Sequence, residues 1–270
     1  MKLKSKVLII AGSDSSGGAG IQADIKSVTA LGGYAMTAIT AVTSQNTKGV
    51  KKILSIPINN LQSQITMVLD DIGANAVKIG MLHNSEAIKC VYKNLKKYKI
   101  KNVVLDPVMI AKGGTRLINN QSVKYLKKLL LPLCRIVTPN IPEAEVLTGY
   151  SISNKEQMIR AAKKIISMGA KNVLLKGGHL KNKMIFDILA TKKGIKIFSK
   201  RKMRTKNTHG TGCTLSSALA TCLSQNKNIV KSCKISLRYV DKAMASAPGY
   251  GKGFGPLNHL VSFNLRNIND

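Results

Sequence analysis

The sequence has no tryptophan, few aromatic residues (4%) and only 12 acidic residues against 43 lysines and arginines in 270 residues. The resulting net charge of +31 would ordinarily suggest nucleic-acid binding. However, the lysines are spread along the whole chain, without an arginine-rich stripe or a basic tail. The aromatic side chains that stack on bases are also scarce. We therefore expect no specific nucleic-acid partner, only weak and salt-sensitive binding to polyanions.

Long apolar runs are also missing from the sequence. No stretch approaches the roughly 20 residues that a membrane-spanning helix requires, and the mean hydropathy is +0.01. Near the amino terminus only residues 7–11 are continuously apolar, and a glycine-rich turn follows them directly. This pattern indicates a buried strand rather than a secretory signal. We expect a soluble protein with no membrane partner.

The cysteines and histidines lack the spacing of a disulfide framework or of a metal site. The five cysteines are odd in number and contain no CxxC pair. The four histidines share no metal-ligand spacing with them or with one another. A reducing compartment, the cytoplasm, fits this usage best, with most thiols acting as small core residues.

Short β-branched runs alternate with segments of helical period, a pattern typical of βαβ units around a parallel sheet. The predicted strands cover residues 6–11, 36–43, 76–80, 102–105, 135–138 and 172–176, and residues 184–202 are predicted to form an added hairpin. Ser153 and Glu156 are predicted to form a capping box at the start of a helix. No linker or repeat divides the chain, so we expect one three-layer α/β/α domain spanning residues 1–270. Its ligands should gather at the carboxyl ends of the strands.

The first candidate loop is AGSDSSGGAGIQAD, residues 11–24, where glycines follow the first predicted strand. Gly17, Gly18 and Gly20 allow the backbone to approach a ligand closely, and a helix begins behind them. The spacing matches neither the dinucleotide fingerprint nor the P-loop. Alone, this loop could equally be a tight connection.

The second candidate loop is NTHGTGCTLSSALATCL, residues 207–223, in which a glycine pair precedes a helix. Gly210, Thr211 and Gly212 would leave several unpaired amides at the helix start, which is a preformed anion site. Cys213 lies in the first turn, where the pKa of a thiol is expected to fall. It could be a nucleophile, a general base, a passive wall of the anion site, or simply a small core residue.

Oxygen ligands and a lysine follow three further predicted strands. Asp106 lies in VLDPVM (104–109), and Asn140 and Glu143 lie in VTPNIPEAEVL (137–147). Such hard ligands suit Mg²⁺ held partly through water and a substrate phosphate. Lys176 follows a buried strand just before two glycines, where it is a natural countercharge for phosphate.

Taken together, the chain resembles the hydroxymethylpyrimidine/phosphomethylpyrimidine kinases of thiamine biosynthesis, members of the ribokinase superfamily. The resemblance runs from about residue 7 to residue 260. It rests on AGSDSSGGAGIQAD, AVTSQNTKGV, KIGML, VLDPVM, TPNIPEAEVLTG, LLKGGHL, NTHGTGCTLSSALA and GKGFGP. It implies a ribokinase-like fold, ATP and Mg²⁺ as cofactors, a homodimer, and two successive phosphorylations. The first acts on 4-amino-5-hydroxymethyl-2-methylpyrimidine and the second on its monophosphate.

The resemblance also implies roles for individual residues. Gln45 would contact the pyrimidine, because an amide can donate and accept at once. The rest of that pocket would be Gly12, Ala19, Asp24, Met81 and Val108. ATP would be bound by Lys176, Thr211 and Gly212, and Mg²⁺ by Asn140, Glu143 and Asp106. The catalytic residues would be Lys176, Gly210, Thr211, Gly212 and Cys213.

Cys213 would lie beside the anion hole and accept the hydroxymethyl proton. Replacing it with alanine is then expected to damage the first phosphorylation more than the second. One departure from the family's pattern is Ser15, where proline is frequent.

Three alternatives stay open. A pyridoxine/pyridoxal kinase shares the same loop, although Gln45 and Met81 favour the pyrimidine. A cysteine hydrolase using Cys213 with His209 lacks a third residue to orient the base. A nucleic-acid-binding protein is supported by net charge alone.

Overall fold

A nine-stranded sheet forms the middle layer of the protein in the computed structural model, which describes residues 5–110, 114 and 117–262. The strands are β1 (Lys6–Asp14), β2 (Tyr34–Asn46), β3 (Gly49–Ser55), β4 (Ala76–Ile79), β5 (Val103–Leu105), β6 (Ile136–Val137), β7 (Asn172–Leu175), β8 (Met184–Thr191) and β9 (Gly194–Arg201). Their order in the sheet is β3-β2-β1-β4-β5-β6-β7-β8-β9. Strands β2, β1, β4, β5, β6 and β7 run parallel, and the strands at the two ends pair in antiparallel fashion.

Helices cover both faces of the sheet. They are α1 (Gly20–Ala30), α2 (Ile58–Asp71), α3 (Ser85–Lys97), α4 (Asn120–Tyr125), α5 (Ile141–Thr148), α6 (Lys155–Ser167), α7 (Thr211–Ser224) and α8 (Ile229–Ala245). Helix α4 continues through a π turn (Leu126–Leu130) and a 3₁₀ turn (Leu131–Leu133), and a last 3₁₀ turn spans His259–Ser262. Among the described helices, none combines the length and apolar character that crossing a membrane requires.

The strand β1 shows why the fold has three layers. Leu8 and Ile10 pack into a core with helices α2 to α6, whereas Val7 and Ile9 pack into a second core with α1, α7 and α8. All four side chains are essentially unexposed. A strand covered on both faces is therefore apolar at consecutive positions instead of alternating, as expected for a parallel sheet.

The predicted α/β/α class is confirmed, and each of the six predicted parallel strands has its counterpart. The predicted hairpin is β8 and β9, which pair from Met184 with Arg201 to Thr191 with Gly194. The edge strand β3 was not predicted. The predicted capping box of Ser153 and Glu156 is wrong: Asn154 caps α6 and accepts a hydrogen bond from the Gln157 amide, and Gln157 Oε1 accepts from the Ser153 amide.

The strand order of the sheet reverses at β1, because the strands that follow it are added first on one side and then on the other. Strand β2 lies on one side of β1 and β4 lies on the other. In open parallel sheets a crevice opens at the carboxyl ends of the strands at such a point. The fold therefore places the loops after β1, β2 and β4 around one opening.

Candidate active site

A cavity of about 630 Å³ opens at this edge of the sheet. It brings together nearly all the site residues predicted from the sequence. Its lining includes Gly12, Ala19, Gln45, Met81, Asp106, Val108, Asn140, Glu143, Lys176, Gly210, Thr211, Gly212 and Cys213. Their roles stay predictions, but residues as far apart in the chain as Gly12 and Cys213 line the same cavity.

Asp24 is the exception. Its side chain is fully buried and does not line the cavity. The carboxylate instead accepts hydrogen bonds from Lys78 at 2.7 Å and from the Ser217 hydroxyl at 2.7 Å. The predicted place of Asp24 in the pocket lining is therefore corrected: the side chain supports the wall from behind.

The start of α7 forms the floor of the cavity. Gly210 caps the helix in the left-handed conformation, with φ of +79°, and a Cβ there would lie 1.8 Å from the Gly18 carbonyl oxygen. Only glycine meets both demands. No side chain caps this helix, and no described residue accepts a hydrogen bond from the amides of Gly212 or Cys213. These amides and the helix dipole make the floor attractive to an anion.

A lysine faces the same floor. Lys176 directly follows β7, and its ammonium lies 3.0 Å from Asp106 Oδ1. Burial alone would lower the pKa of Lys176, but Asp106 and Glu143 raise it, so the ammonium stays charged. A Cβ on Gly212 would approach the Lys176 ammonium to 3.2 Å and Asp106 Oδ2 to 3.3 Å. Glycine at position 212 therefore keeps the space between the lysine and the helix amides open.

Carboxylates and an amide form the side of the cavity next to Lys176. The Asn140 side chain accepts from the Glu143 amide at 2.9 Å, and Glu143 Oε2 accepts from the Asn140 amide at 2.8 Å, which makes a reciprocal capping box on α5. Burial raises the pKa of Glu143 to about 7, although Lys176 opposes this. Among the described residues, no three His, Cys, Asp or Glu side chains converge closely enough to hold a metal ion.

This ligand set fits Mg²⁺ better than a transition metal. Magnesium keeps several waters and binds proteins through one or two carboxylates together with substrate phosphates. Asp106 and Glu143 supply such carboxylates beside the anion floor. A closed cage of soft ligands, as zinc would require, is not found among the described residues.

The opposite side of the cavity carries Gln45. Its side chain lies between Thr43 Oγ1, 3.1 Å from the amide oxygen, and His209 Nε2, 3.3 Å from the amide nitrogen. The Ser15 hydroxyl bridges the main-chain N and O of Gln45, at 2.9 Å each. A proline at position 15 could not make this bridge, because it has no hydroxyl group.

Cys213 corrects a second expectation. It lies in the first turn of α7 as predicted, but its pKa does not fall. Burial raises the pKa of the thiol to about 12, and the nearby Lys78 ammonium only partly opposes this. The desolvation of the sulfur thus outweighs the effect of the helix terminus, so the Cys213 thiol is neutral at neutral pH.

Sequence reasoning missed Lys78 and Asp14 and gave His209 no role in the kinase. Lys78 lies in the middle of the fully buried strand β4, and a charge in such a strand requires a partner, which was a usable signal. Asp14 ends β1 within the quoted glycine loop, and its partner His209 is 195 positions away. No local pattern reveals such a pair.

The fold and the site define the class of the protein: it is an enzyme of the ribokinase-like kinases. The chain belongs to the phosphomethylpyrimidine kinase family, whose model matches residues 14–258.

Three relatives illustrate this membership. The hydroxymethylpyrimidine/phosphomethylpyrimidine kinase of Bacillus subtilis is 42% identical over 98% of this chain and 97% of its own length. A thiamine biosynthesis bifunctional protein of Geobacter sulfurreducens is 46% identical over 96% of this chain, which spans only 53% of that relative. Among solved structures, an ADP complex of Bacillus subtilis pyridoxal kinase matches with a TM-score of 0.90 at 33% identity, over 97% of this chain and 100% of that one.

Proposed function

We propose that this enzyme transfers the γ-phosphoryl group of ATP to 4-amino-5-hydroxymethyl-2-methylpyrimidine and then to the resulting monophosphate. The observation that carries the proposal is a single cavity with two unlike halves. One half holds the open amides of α7 with Lys176, and the other holds the Gln45 amide. The first half suits phosphates, and the second suits a ring that presents donors and acceptors.

Phosphoryl transfer requires alignment and charge stabilisation more than covalent help. The amides of Thr211, Gly212 and Cys213 would stabilise negative charge on the transferred group together with the Lys176 ammonium. Mg²⁺ would be held by Asp106, Glu143 and Asn140. When bound there, it would neutralise further negative charge on the phosphates. Gly12, Ala19, Met81 and Val108 would enclose the ring, and Asp24 would act indirectly through Lys78.

The neutral thiol of Cys213 changes the account of the proton. A thiol with a pKa of about 12 is not a resting base at neutral pH. The sequence-based hypothesis, in which Cys213 accepts the hydroxymethyl proton, predicts that Cys213→Ala damages the first phosphorylation far more than the second. A neutral wall of the anion site predicts equal losses in both steps. Measuring both steps with each purified pyrimidine separates the two roles.

The pyridoxal kinase reading has one supporting observation, the close structural likeness to the Bacillus subtilis pyridoxal kinase. We favour the pyrimidine because Gln45 offers a paired donor and acceptor at the ring. A side activity on pyridoxal would be compatible with this proposal, because both substrates would use the same phosphate-binding half of the cavity.

Mass spectrometry of the products after incubation with ATP, Mg²⁺ and the hydroxymethylpyrimidine tests the proposal. We expect the monophosphate first and the diphosphate later, and parallel reactions with pyridoxal measure the preference. Phosphorylated pyridoxal with an unchanged pyrimidine would overturn the proposal. The homodimer and the cytoplasmic location stay predictions, and light scattering during gel filtration tests the former.

A further inference from the structure

Asp187 is a buried carboxylate in the wall of the cavity that the phosphate chemistry proposed above does not use. It lies in β8 next to Ile188, Leu189 and Ala190, which are buried and apolar, and Asp187 itself is only 4% exposed. Removing a carboxyl group from water is costly unless a hydrogen bond compensates. The position therefore requires a partner for Asp187.

That partner belongs to the turn that carries Lys176. The main-chain pairing between β7 and β8 ends with Leu175 and Ile188. Just beyond this pair, the Gly177 amide donates to Asp187 Oδ1 at 2.9 Å in a buried hydrogen bond. The Asp187 side chain thus supplies the acceptor at the point where the main-chain ladder no longer does.

The Gly177 main chain lies directly against β8. A Cβ on this residue would be 2.1 Å from the Phe186 carbonyl oxygen and 3.2 Å from Met158 Cε. Only glycine allows the backbone to approach the strand so closely. A larger residue would push the turn away from β8 and from the Asp187 carboxylate.

The main chain is hydrogen-bonded on both sides of the Lys176 side chain. The Lys176 amide donates to the Pro139 carbonyl at 2.9 Å, and the next amide, that of Gly177, donates to Asp187. From this anchored point the side chain reaches Asp106, where its ammonium lies 3.0 Å from Oδ1. The ammonium is thereby placed at the start of α7.

The contact with Gly177 needs an acceptor oxygen on residue 187 but not a negative charge. Burial raises the pKa of Asp187 above its usual value, although the Gly177 amide and the Lys200 ammonium oppose this. A protonated carboxyl group still has an oxygen that accepts from an amide, and so does the side chain of asparagine. Without any acceptor at this position, the Gly177 N–H would be buried and unpaired.

We propose that Asp187 is a positioning residue for phosphoryl transfer: it holds the Gly177 amide and thereby fixes the Lys176 ammonium at the start of α7. This inference rests on the proposed function, in which that ammonium stabilises charge on the transferred group. A displacement of about 1 Å can cost about 10²-fold in rate. Asp187 does not touch the reacting atoms, so its effect on the rate passes through Lys176.

Steady-state kinetics of Asp187→Ala, Asp187→Asn and Gly177→Ala test the inference, each alone and in the Lys176→Met background. We expect Asp187→Ala to lower kcat about 10- to 100-fold, whereas Asp187→Asn keeps the acceptor and should stay within about 3-fold of the unaltered enzyme. Gly177→Ala displaces the same turn by a different route and should also lower kcat about 10-fold or more. KM for the pyrimidine should stay within about 3-fold in every variant.

The Lys176→Met background separates positioning from a general loss of structure. Because Asp187→Ala and Gly177→Ala act through the lysine, each should lower kcat by less than about 2-fold once the ammonium is gone. Thr191→Val is the matched control, since it removes a hydroxyl that donates to the Gly194 carbonyl at the end of β8. It should lower the thermal midpoint and leave kcat within about 2-fold. Thermal midpoints of all variants are measured alongside.

Three results would overturn the inference while the proposed function stands. They are equal losses in kcat with and without the Lys176 ammonium, an Asp187→Asn variant as impaired as Asp187→Ala, and a loss carried by KM for ATP alone. The last result would mean that Asp187 contacts the nucleotide itself. Absence of pyrimidine phosphorylation by the unaltered enzyme would instead overturn the proposed function, and this inference with it.

Discussion

The Lys78 ammonium lies 2.7 Å from Asp24 Oδ2, and neither side chain is exposed at all. Lys78 is in β4 and Asp24 is in α1, while the Ser217 hydroxyl in α7 donates to the other carboxylate oxygen. Burial alone would lower the pKa of Lys78, but Asp24 and other neighbouring groups raise it, so the lysine stays charged. The pair joins the central sheet to α1, which follows the glycine loop after β1, and to α7, whose start forms the floor of the cavity.

Removing one charge of this pair should be far more damaging than removing both. Lys78→Met leaves an unpaired buried carboxylate, which typically lowers the free energy of unfolding by about 3–5 kcal/mol. Lys78→Met combined with Asp24→Asn should recover much of that loss, since the amide still accepts from Ser217. Urea unfolding at pH 7 measures the effect, and Lys163→Met on the exposed face of α6 is the matched control. A single variant within about 1 kcal/mol of the unaltered protein would contradict the assignment.

If the proposed function holds, Lys176→Met should lower kcat by about 10²–10³-fold, because the lysine would then face the charge that develops on the transferred phosphoryl group. The pyrimidine KM should stay within about 3-fold, since Gln45 lies on the opposite side of the cavity. Steady-state assays with saturating ATP measure both constants, and Lys163→Met again serves as the control for a lost surface charge. If kcat stays within 10-fold of the unaltered enzyme, Lys176 is not required, and the α7 amides alone stabilise the charge on the transferred phosphoryl group.

The sequence predicts the parallel sheet and most of the cavity because most of the predicted site residues lie near the carboxyl end of a strand or at the start of a helix. The carboxyl ends of parallel strands meet at one edge, so Asp106 after β5 and Lys176 after β7 come together without any long-range information. In contrast, β3 is an edge strand with no buried residue, so its sequence lacks the continuous apolar run that marks the buried strands.

The errors arise where tertiary contacts decide the chemistry. The position at a helix start predicts a lowered pKa for the Cys213 thiol. However, the sulfur is buried among residues distant in the chain, and its desolvation raises the pKa instead. Asp24 carries no local sign of whether it faces the cavity or Lys78, which is 54 positions away. Ser153 and Asn154 are both competent caps, so local chemistry alone does not choose between them.

Alkylation of Cys213 in the folded enzyme should be slow at neutral pH. With a pKa of about 12, the thiolate fraction at pH 8 is about 10³-fold smaller than for an ordinary thiol, and higher intrinsic nucleophilicity offsets only part of this. We expect iodoacetamide to modify Cys213 about 10²-fold more slowly than a free thiol, with a rate that keeps rising up to about pH 11.

Fragmentation of the tryptic peptide 207–227 by tandem mass spectrometry distinguishes Cys213 from Cys222, which lies in the same peptide, and the other three cysteines lie in other peptides. The urea-unfolded chain, in which all five thiols are accessible, provides the reference rate. Modification of native Cys213 at the ordinary rate near pH 7.5 would show an accessible thiolate and return the sulfur to the role of a base.

The free energy of unfolding should depend on pH through the titration of Glu143. Its pKa is raised from 4.5 to about 7 on folding, with burial as the main cause. The folded state therefore binds this proton more tightly than the unfolded chain does. The associated stability is fully present below pH 4.5 and is lost as the pH rises through about 7. Glu143→Gln keeps an acceptor for the Asn140 amide without the charge, so it lacks this pH dependence.

Urea unfolding of both proteins at pH 5, 6, 7 and 8 tests this sign directly. Relative to Glu143→Gln, the unaltered protein should become progressively less stable across this range, by up to about 3 kcal/mol. The difference should flatten above pH 8, where the carboxylate is ionised in both states. Two results would contradict this prediction: the same pH dependence of stability in both proteins, or an unaltered protein that becomes more stable than Glu143→Gln as the pH rises. Either would mean that Lys176, rather than burial, determines the pKa of Glu143. The carboxylate would then already be ionised at pH 5 and available to Mg²⁺ throughout the range.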